Sequence, residues 1–337
     1  MATLSDVAAR AGVSVSAVSR VLSDAPSARV SEGTRQRIHE AAAELGYRPN
    51  FAARALKFAR TNVVGLVVPD LTNAIFTELM RGVEDEAHRR GYMVLLARAE
   101  EMLEDEEPIP RLIGEGRVDG VLVQVGDNMR PQDLESLVTG KLPVVFVNSI
   151  PPQGVGSAVL EDERGLRLAT QHLIDLGHTR IALINGLPAS DTARRREAGF
   201  RETMADAGLM VREDHVTRLG YDPRSGGVAM SELAALETPP SAVVVANVNA
   251  AHGALLEARR LGMTVPEDLS IVAMHDAWTA ENAWPPLTTV RMPLYELGRT
   301  AMAALFERIT AGTVADVVVS DPAPQLVVRE STGAPRA

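Results

Sequence analysis

The feature that most constrains this chain is a series of short, almost uninterrupted aliphatic segments, each followed by a helical pattern. From residue 62 onward these are Val63-Val64-Gly65-Leu66-Val67-Val68, Met93-Val94-Leu95-Leu96-Ala97, Gly120-Val121-Leu122-Val123-Gln124, Pro143-Val144-Val145-Phe146-Val147, Ile181-Ala182-Leu183-Ile184-Asn185, Ala242-Val243-Val244-Val245-Ala246 and Leu269-Ser270-Ile271-Val272-Ala273-Met274. A strand that is apolar on both faces must be covered on both, as parallel strands with helical crossovers are. Helices are predicted over 75–90, 162–176, 192–207 and 250–261. The series is too long for one open sheet and restarts near Glu161, after the turn-rich Pro151-Pro152-Gln153-Gly154-Val155-Gly156. Two doubly wound α/β lobes are expected, with ligands beyond the carboxyl ends of the strands. Lobes facing each other make a cleft able to close on a small molecule.

Ahead of the lobes the pattern is helical. Leu4, Val7, Ala8 and Ala11 share one face, Gly12 makes a turn, and Val18, Val21 and Leu22 form a second stripe. Ser14 is placed to cap the second helix, because its hydroxyl can accept an otherwise orphaned backbone N–H. Val15, Ser16, Ser19 and Arg20 lie between the buried positions and suit a DNA groove. This is the form of a helix-turn-helix, whose second helix enters the major groove. Ser31 caps a third helix over 32–45, with Ile38, Ala41, Ala42 and Leu45 inward and Gly46 as its stop. Pro49 then opens a short basic helix carrying Arg54, Lys57 and Arg60. At two to three turns it is marginal alone and should form only when docked.

The charge distribution supports this division. The net charge is -10, yet residues 1–60 carry nine Lys/Arg against five Asp/Glu, and the rest carries 25 against 39. A basic head on an acidic body suits phosphate contact by the head alone. With no cysteine there is no disulfide, thiolate zinc site or cysteine nucleophile. No apolar run is long enough to span a bilayer and no signal-peptide pattern opens the chain, so a soluble, cytoplasmic protein is expected.

Enzymatic signals are absent or weak. Gly154-Val155-Gly156 lacks a strand just before it and a third glycine. Neither a Gly-x-x-x-x-Gly-Lys loop nor a Gly-x-Ser-x-Gly elbow occurs. The seven histidines show no metal spacing, and the acidic run Glu100 to Glu107 lacks a metal-loop pattern. His275 and Asp276 are neighbours at a strand end and so point to opposite sides, which argues against a catalytic pair. Arg194-Arg195-Arg196 places three cations at a helix start, where the macrodipole disfavours them, so at least one is a candidate to serve a ligand. No catalytic residue, metal or cofactor is expected.

Taken in order, these residues closely resemble the LacI/GalR family of bacterial transcription repressors. The likeness runs through Asp6-Val7-Ala8, Gly12-Val13-Ser14, Val18-Ser19-Arg20-Val21-Leu22, Leu45-Gly46-Tyr47-Arg48-Pro49-Asn50, Gly65 to Asp70, His172 to His178, Gly199-Phe200-Arg201, Pro285 to Val290 and Leu326 to Ser331. It implies an all-α helix-turn-helix head plus a periplasmic-binding-protein-like α/β core of two doubly wound parallel-sheet lobes. It implies a homodimer on pseudo-palindromic double-stranded operator DNA, with no membrane partner. Val15, Ser16 and Arg20 would face base edges, and Ser5, Ser14, Ser19 and Asn50 would approach the phosphates. Ala53 and Leu56 would belong to a hinge helix, with Leu56 wedged into a minor-groove step, which fits a marginal helix that forms on bent DNA. A small-molecule effector in the cleft would change the pose of the lobes and weaken operator binding. The division implied is a head over 1–46, hinge and linker over 47–60, one lobe from 61–157 plus 291–319, the other from 158–290 plus 320–330, and a flexible tail over 331–337. Helix 294–309 would cover the first lobe.

The cleft departs from the family pattern. His275 stands in place of an acid that grips sugar hydroxyls, Asn148-Ser149 replaces Asp-Arg, and Val248 replaces an aspartate after Asn247. Arg196 and Asn247 match ligand-contact positions, and Asn73, Phe76, Gln124 and Tyr221 complete the candidate effector set with Asn148 and His275. Loss of acidic acceptors with retention of a cation favours an organic acid or an aromatic or phosphorylated metabolite, its anion paired with Arg196, against a sugar held by Asn73, Gln124 and Tyr221. A binding module without DNA, an enzyme on the same lobes and an activator are the competing functions.

Overall fold

The computed structural model describes residues 2–22, 30–48, 60–98, 116–126, 140, 142–151 and 154–336. The chain divides into two compact units, Met1–Thr61 and Asn62–Ala337. The loop after Leu22, the hinge with Asn50, Ala53 and Leu56, and the acidic run lie outside the described residues.

The first unit contains α1 (Leu4–Ala11), α2 (Val15–Leu22) and α3 (Glu32–Glu44). Val7, Ala8, Ala11, Val18, Val21, Ile38, Ala41 and Ala42 form its core. Gly12 turns the chain at φ 66°, in the left-handed region that favours glycine. The Ser14 hydroxyl accepts the Ala17 N–H at 3.2 Å, and Ser31 caps α3 through the Thr34 N–H. One cap escaped the sequence reading: Thr3 and Asp6 form a reciprocal capping box on α1.

The second unit holds two six-stranded sheets. Its strands are β1 (Val63–Val68), β2 (Met93–Arg98), β3 (Gly120–Val123), β4 (Val144–Val147), β5 (Ser157–Leu160), β6 (Ile181–Asn185), β7 (Val216–Arg218), β8 (Ala242–Val245), β9 (Ser270–Met274), β10 (Thr288–Arg291), β11 (Asp316–Val319) and β12 (Gln325–Val327). The first sheet runs β11-β5-β4-β3-β1-β2 and the second β12-β10-β9-β8-β6-β7. All pairings are parallel except β10 with β12, which adds an antiparallel edge. The helices are α4 (Phe76–Arg89), α5 (Asp162–Asp175), α6 (Asp191–Asp206), α7 (Pro223–Ala234), α8 (Val248–Arg260), α9 (Trp278–Glu281) and α10 (Leu294–Ala311). The chain crosses between sheets after β5, after β10 and after β11.

Two expected boundaries need correction. β5 pairs with β4 and with β11, so the first lobe continues to Leu160 rather than ending at 157. Segment 331–336 is no flexible tail. Ser331 is fully buried, donates to the Ile271 carbonyl at 2.6 Å and accepts the Thr288 N–H at 2.8 Å, while the Gly333 carbonyl accepts from buried His178. These backbone groups at the starts of β9 and β10 need those partners.

Each lobe joins two helices through paired glycines. α4 meets α10 at Gly82 and Gly298, where an added methyl group would collide with the carbonyls of Tyr295 and Leu79. α7 meets α8 at Gly226 and Gly253, where it would meet the carbonyls of Ala250 and Pro223. Helix propensity alone makes Gly→Ala stabilising by about 0.8–1.0 kcal/mol, whereas overpacking costs about 1–3 kcal/mol. Gly298→Ala should therefore lower stability by about 1–2 kcal/mol in urea denaturation; a gain would show that the helices have room to separate.

Candidate functional site

On the head, Ser5, Ser14, Ser16 and Arg20 are exposed, Ser19 is half-buried, and Val15 remains 43% exposed although it is apolar. Alternation of these with buried Val18 and Val21 gives α2 one inward and one outward face. An Arg10–Glu44 ion pair at 2.6 Å ties α1 to the end of α3.

In the second unit, all eight candidate effector residues line one cavity of about 220 Å³: Asn73, Phe76, Gln124, Asn148, Arg196, Tyr221, Asn247 and His275. Four follow the carboxyl ends of strands: Gln124 after β3, Asn148 after β4, Asn247 beyond β8 and His275 after β9. This is where open α/β sheets hold ligands. Drug-sized pockets measure roughly 300–1,000 Å³, so the cavity suits a molecule smaller than those. Among the described residues, two of the three non-glycine residues with positive φ are here, Asn148 at 46° and His275 at 71°. Such conformations cluster at ligand sites, where the surrounding structure holds them in place.

Arg196 organises the cavity wall from α6. Its Nε donates to Asp162 Oδ1 at 2.8 Å, Nη1 to the Ala246 carbonyl at 2.7 Å and Nη2 to His275 Nε2 at 2.9 Å. Its guanidinium lies 5.3 Å from the centre of the Tyr221 ring. Gly186 makes room for that ring, because a Cβ there would run into it. Asp162 accepts Arg195 at 2.6 Å on its other oxygen, and Arg195 reaches across to the Leu160 carbonyl and Asn148 in the first lobe. Arg196, expected to pair a ligand anion, thus already has Asp162 as a counter-charge. The three arginines at the start of α6 are also accounted for: Arg195 and Arg196 are paired and Arg194 donates to the Pro188 and Ala189 carbonyls.

Protonation follows from this packing. Burial by itself would raise the Asp162 carboxyl, but Arg196 and Arg195 outweigh it and hold it below the usual range. Burial, then the adjacent Arg196 charge, pushes His275 from 6.5 down to about 3. A guanidinium only donates, so Nε2 of the neutral ring accepts and the proton sits on Nδ1, which is buried without a partner. Asp276 turns away from the cavity, accepting Thr289, Arg291 and Arg329, as expected of neighbours at a strand end. Asp162, which holds Arg196 from behind the wall, and the lining residues Thr192, Leu294 and Leu297 escaped the sequence reading. Among the described residues no group of three or more His, Asp or Glu is arranged for a metal, and no helix is long and apolar enough to cross a membrane.

A helix-turn-helix head joined to a two-lobed core with a cavity at the strand ends defines the class of ligand-controlled DNA-binding proteins. The signature of bacterial regulatory proteins of the lacI family matches residues 3–50, and that of a periplasmic binding protein-like domain matches 170–332. The HTH-type transcriptional repressor PurR of Vibrio campbellii (strain ATCC BAA-1116) is 33% identical over 334 residues, 98% of each chain. A LacI family transcriptional regulator from Mycobacterium smegmatis superposes with a TM-score of 0.76 at 41% identity, covering 81% of this chain and 100% of that one. The lac repressor dimer bound to operator and the anti-inducer ONPF superposes at 0.81 with 27% identity, covering 99% of each chain. The chain belongs to the lacI family: it is a DNA-binding transcriptional regulator and not an enzyme.

Two variants test the wall. Asp162→Asn leaves Arg196 buried without its counter-charge and should cost about 3–5 kcal/mol. His275 binds fewer protons folded than unfolded between about 3 and 6.5, so its contribution is full above 6.5 and is lost as pH falls through that window, by up to about 1.4 kcal/mol per unit. Denaturation at about pH 7.5 and 5.5 should show wild type losing more stability than His275→Asn, since other histidines cancel in the comparison. Equal losses would mean that His275 is charged in the folded state.

Proposed function

We propose that this chain is a repressor that binds a pseudo-palindromic operator as a homodimer and is released or retained by a small molecule in the cavity between the lobes. The observation that carries the reading is the convergence of all eight candidate residues on one cavity at the strand ends, in a chain that also carries an exposed basic recognition helix. The relative from Vibrio is named a repressor, and the lac repressor structure holds operator and a small anti-inducer together, which supports the same division of labour here. Ser5, Ser14 and Ser19 serve the phosphate backbone, and Val15, Ser16 and Arg20 read bases. Asn50, Ala53 and Leu56 complete the DNA contacts, with Leu56 as the wedge. The regulator works in the cytoplasm, at the nucleoid when bound to its operator.

Genome-wide mapping of bound DNA identifies the operator and the genes beside it. With that operator in hand, Arg20→Ala should weaken binding about tenfold or more, the range for a lost base contact of about 1–3 kcal/mol. Leu56→Ala should weaken operator binding while leaving ligand affinity of the DNA-free protein unchanged. Anisotropy titrations across salt concentrations read both, since phosphate neutralisation makes affinity fall with salt. Undiminished affinity in both variants would remove the recognition helix and the wedge from this account, and raised transcription on operator binding would replace repression by activation.

A further inference from the structure

The polar atoms of the cavity wall are unbalanced. Asn148 Oδ1 accepts the Leu160 N–H at 3.0 Å, Asn247 Oδ1 accepts the Asn249 N–H at 2.7 Å, and Asn73 Oδ1 accepts the Ile75 N–H at 3.3 Å. A backbone N–H needs an oxygen, so each amide is fixed with its nitrogen as the uncommitted end. None of these three nitrogens bonds a described residue. The Nδ1–H of His275 lies buried behind the wall without a partner. Arg196 adds a cation whose counter-charge, Asp162, is fully buried behind the wall and does not line the cavity.

The two carboxylates that line the cavity, Asp70 and Asp222, each brace local backbone. Asp70 holds its own turn through the Thr72 N–H and hydroxyl, and Asp222 caps α7 through Arg224, Ser225 and the Ser225 hydroxyl. Asp222 is also solvent-exposed, so its charge is screened. Thr192 shares its hydroxyl with Ser190, and Gln124 can turn either end inward. A polyol brings a donor with every hydroxyl, and the amide nitrogens of Asn73, Asn148 and Asn247 offer those donors no acceptor. A carboxylate brings two oxygens, about four lone-pair directions and no donor.

We infer that the effector presents a carboxylate to the end of the cavity walled by Asn148, Arg196, Asn247 and His275. This rests on the cavity being the effector site. Selection comes from directed donors, strengthened by the cation behind them, and not from a free ion pair. Asn247 provides the sharpest test, because Asp caps a helix as well as Asn does. Asn247→Asp keeps the Oδ1 bond to the Asn249 N–H and exchanges a donor for a charged acceptor.

The experiment uses the full-length, DNA-free protein and a panel of mono- and dicarboxylates of about three to seven carbons, a size suited to the cavity. Each acid is matched with the sugar or polyol of the same skeleton, first by thermal shift and then by calorimetry. At least one carboxylate should stabilise the protein and its neutral counterpart should not. Asn247→Asp should weaken that carboxylate at least tenfold, with the unliganded protein still unfolding in one cooperative transition. The inference is overturned if no carboxylate binds, if a polyol binds as tightly as its acid, or if Asn247→Asp leaves the acid's affinity intact. A polyol whose binding is lost in Tyr221→Ala would overturn the carboxylate and keep the cavity. A ligand of either kind that survives both variants would overturn the cavity as the site.

Discussion

The contact on which the cavity depends is the buried pair between Arg196 and Asp162. Such a pair is a poor source of stability, because removing both charges from water offsets most of their attraction. It is a strong source of position. Asp162 begins α5, Arg196 lies on α6, and the Ala246 carbonyl and His275 stand at the ends of neighbouring strands. Four elements of one lobe are thereby held to a common point. Arg195, on the same acid, extends the network to Leu160 and Asn148 of the other lobe. Movement of one lobe against the other has to rearrange these bonds, so what fills the cavity and how the lobes sit are coupled by the same atoms.

Much of the fold was legible because its strongest signals are local. Aliphatic runs of four to six residues between helical patterns gave the central strands, and Ser14 and Ser31 gave helix starts at the residues where the hydroxyls cap them. The elements that escaped lack that signal. β7 has three residues, β11 is an edge strand next to acids, and α7 contains Gly226 and Gly227, which count against a helix when read alone. The glycine at 226 is there because α8 passes too close for a side chain, a fact about a neighbour and not about the segment.

The cavity was legible in membership and not in chemistry. All eight candidate residues meet, four of them at strand ends, which converge in such a sheet. Spacing could not show that Asp162 occupies Arg196, or that backbone N–H groups orient the amides of Asn148 and Asn247. Those are contacts between segments 12 to 34 residues apart or within a cap, and they decide whether a side chain faces the ligand as a charge, a donor or an acceptor.

The way the chain returns at its end has a consequence during synthesis. The first sheet needs β11 as its edge and α10 as a cover, and the second needs β12 and the clamp of Ser331 and Gly333. A nascent chain can close the core of the head once α3 has left the ribosome, since that core draws on α1 to α3 and the residues flanking them. Neither lobe has its full set of strands until translation has passed residue 319, and the second waits for residue 327. The part that reads DNA is therefore ready well before the part that governs it.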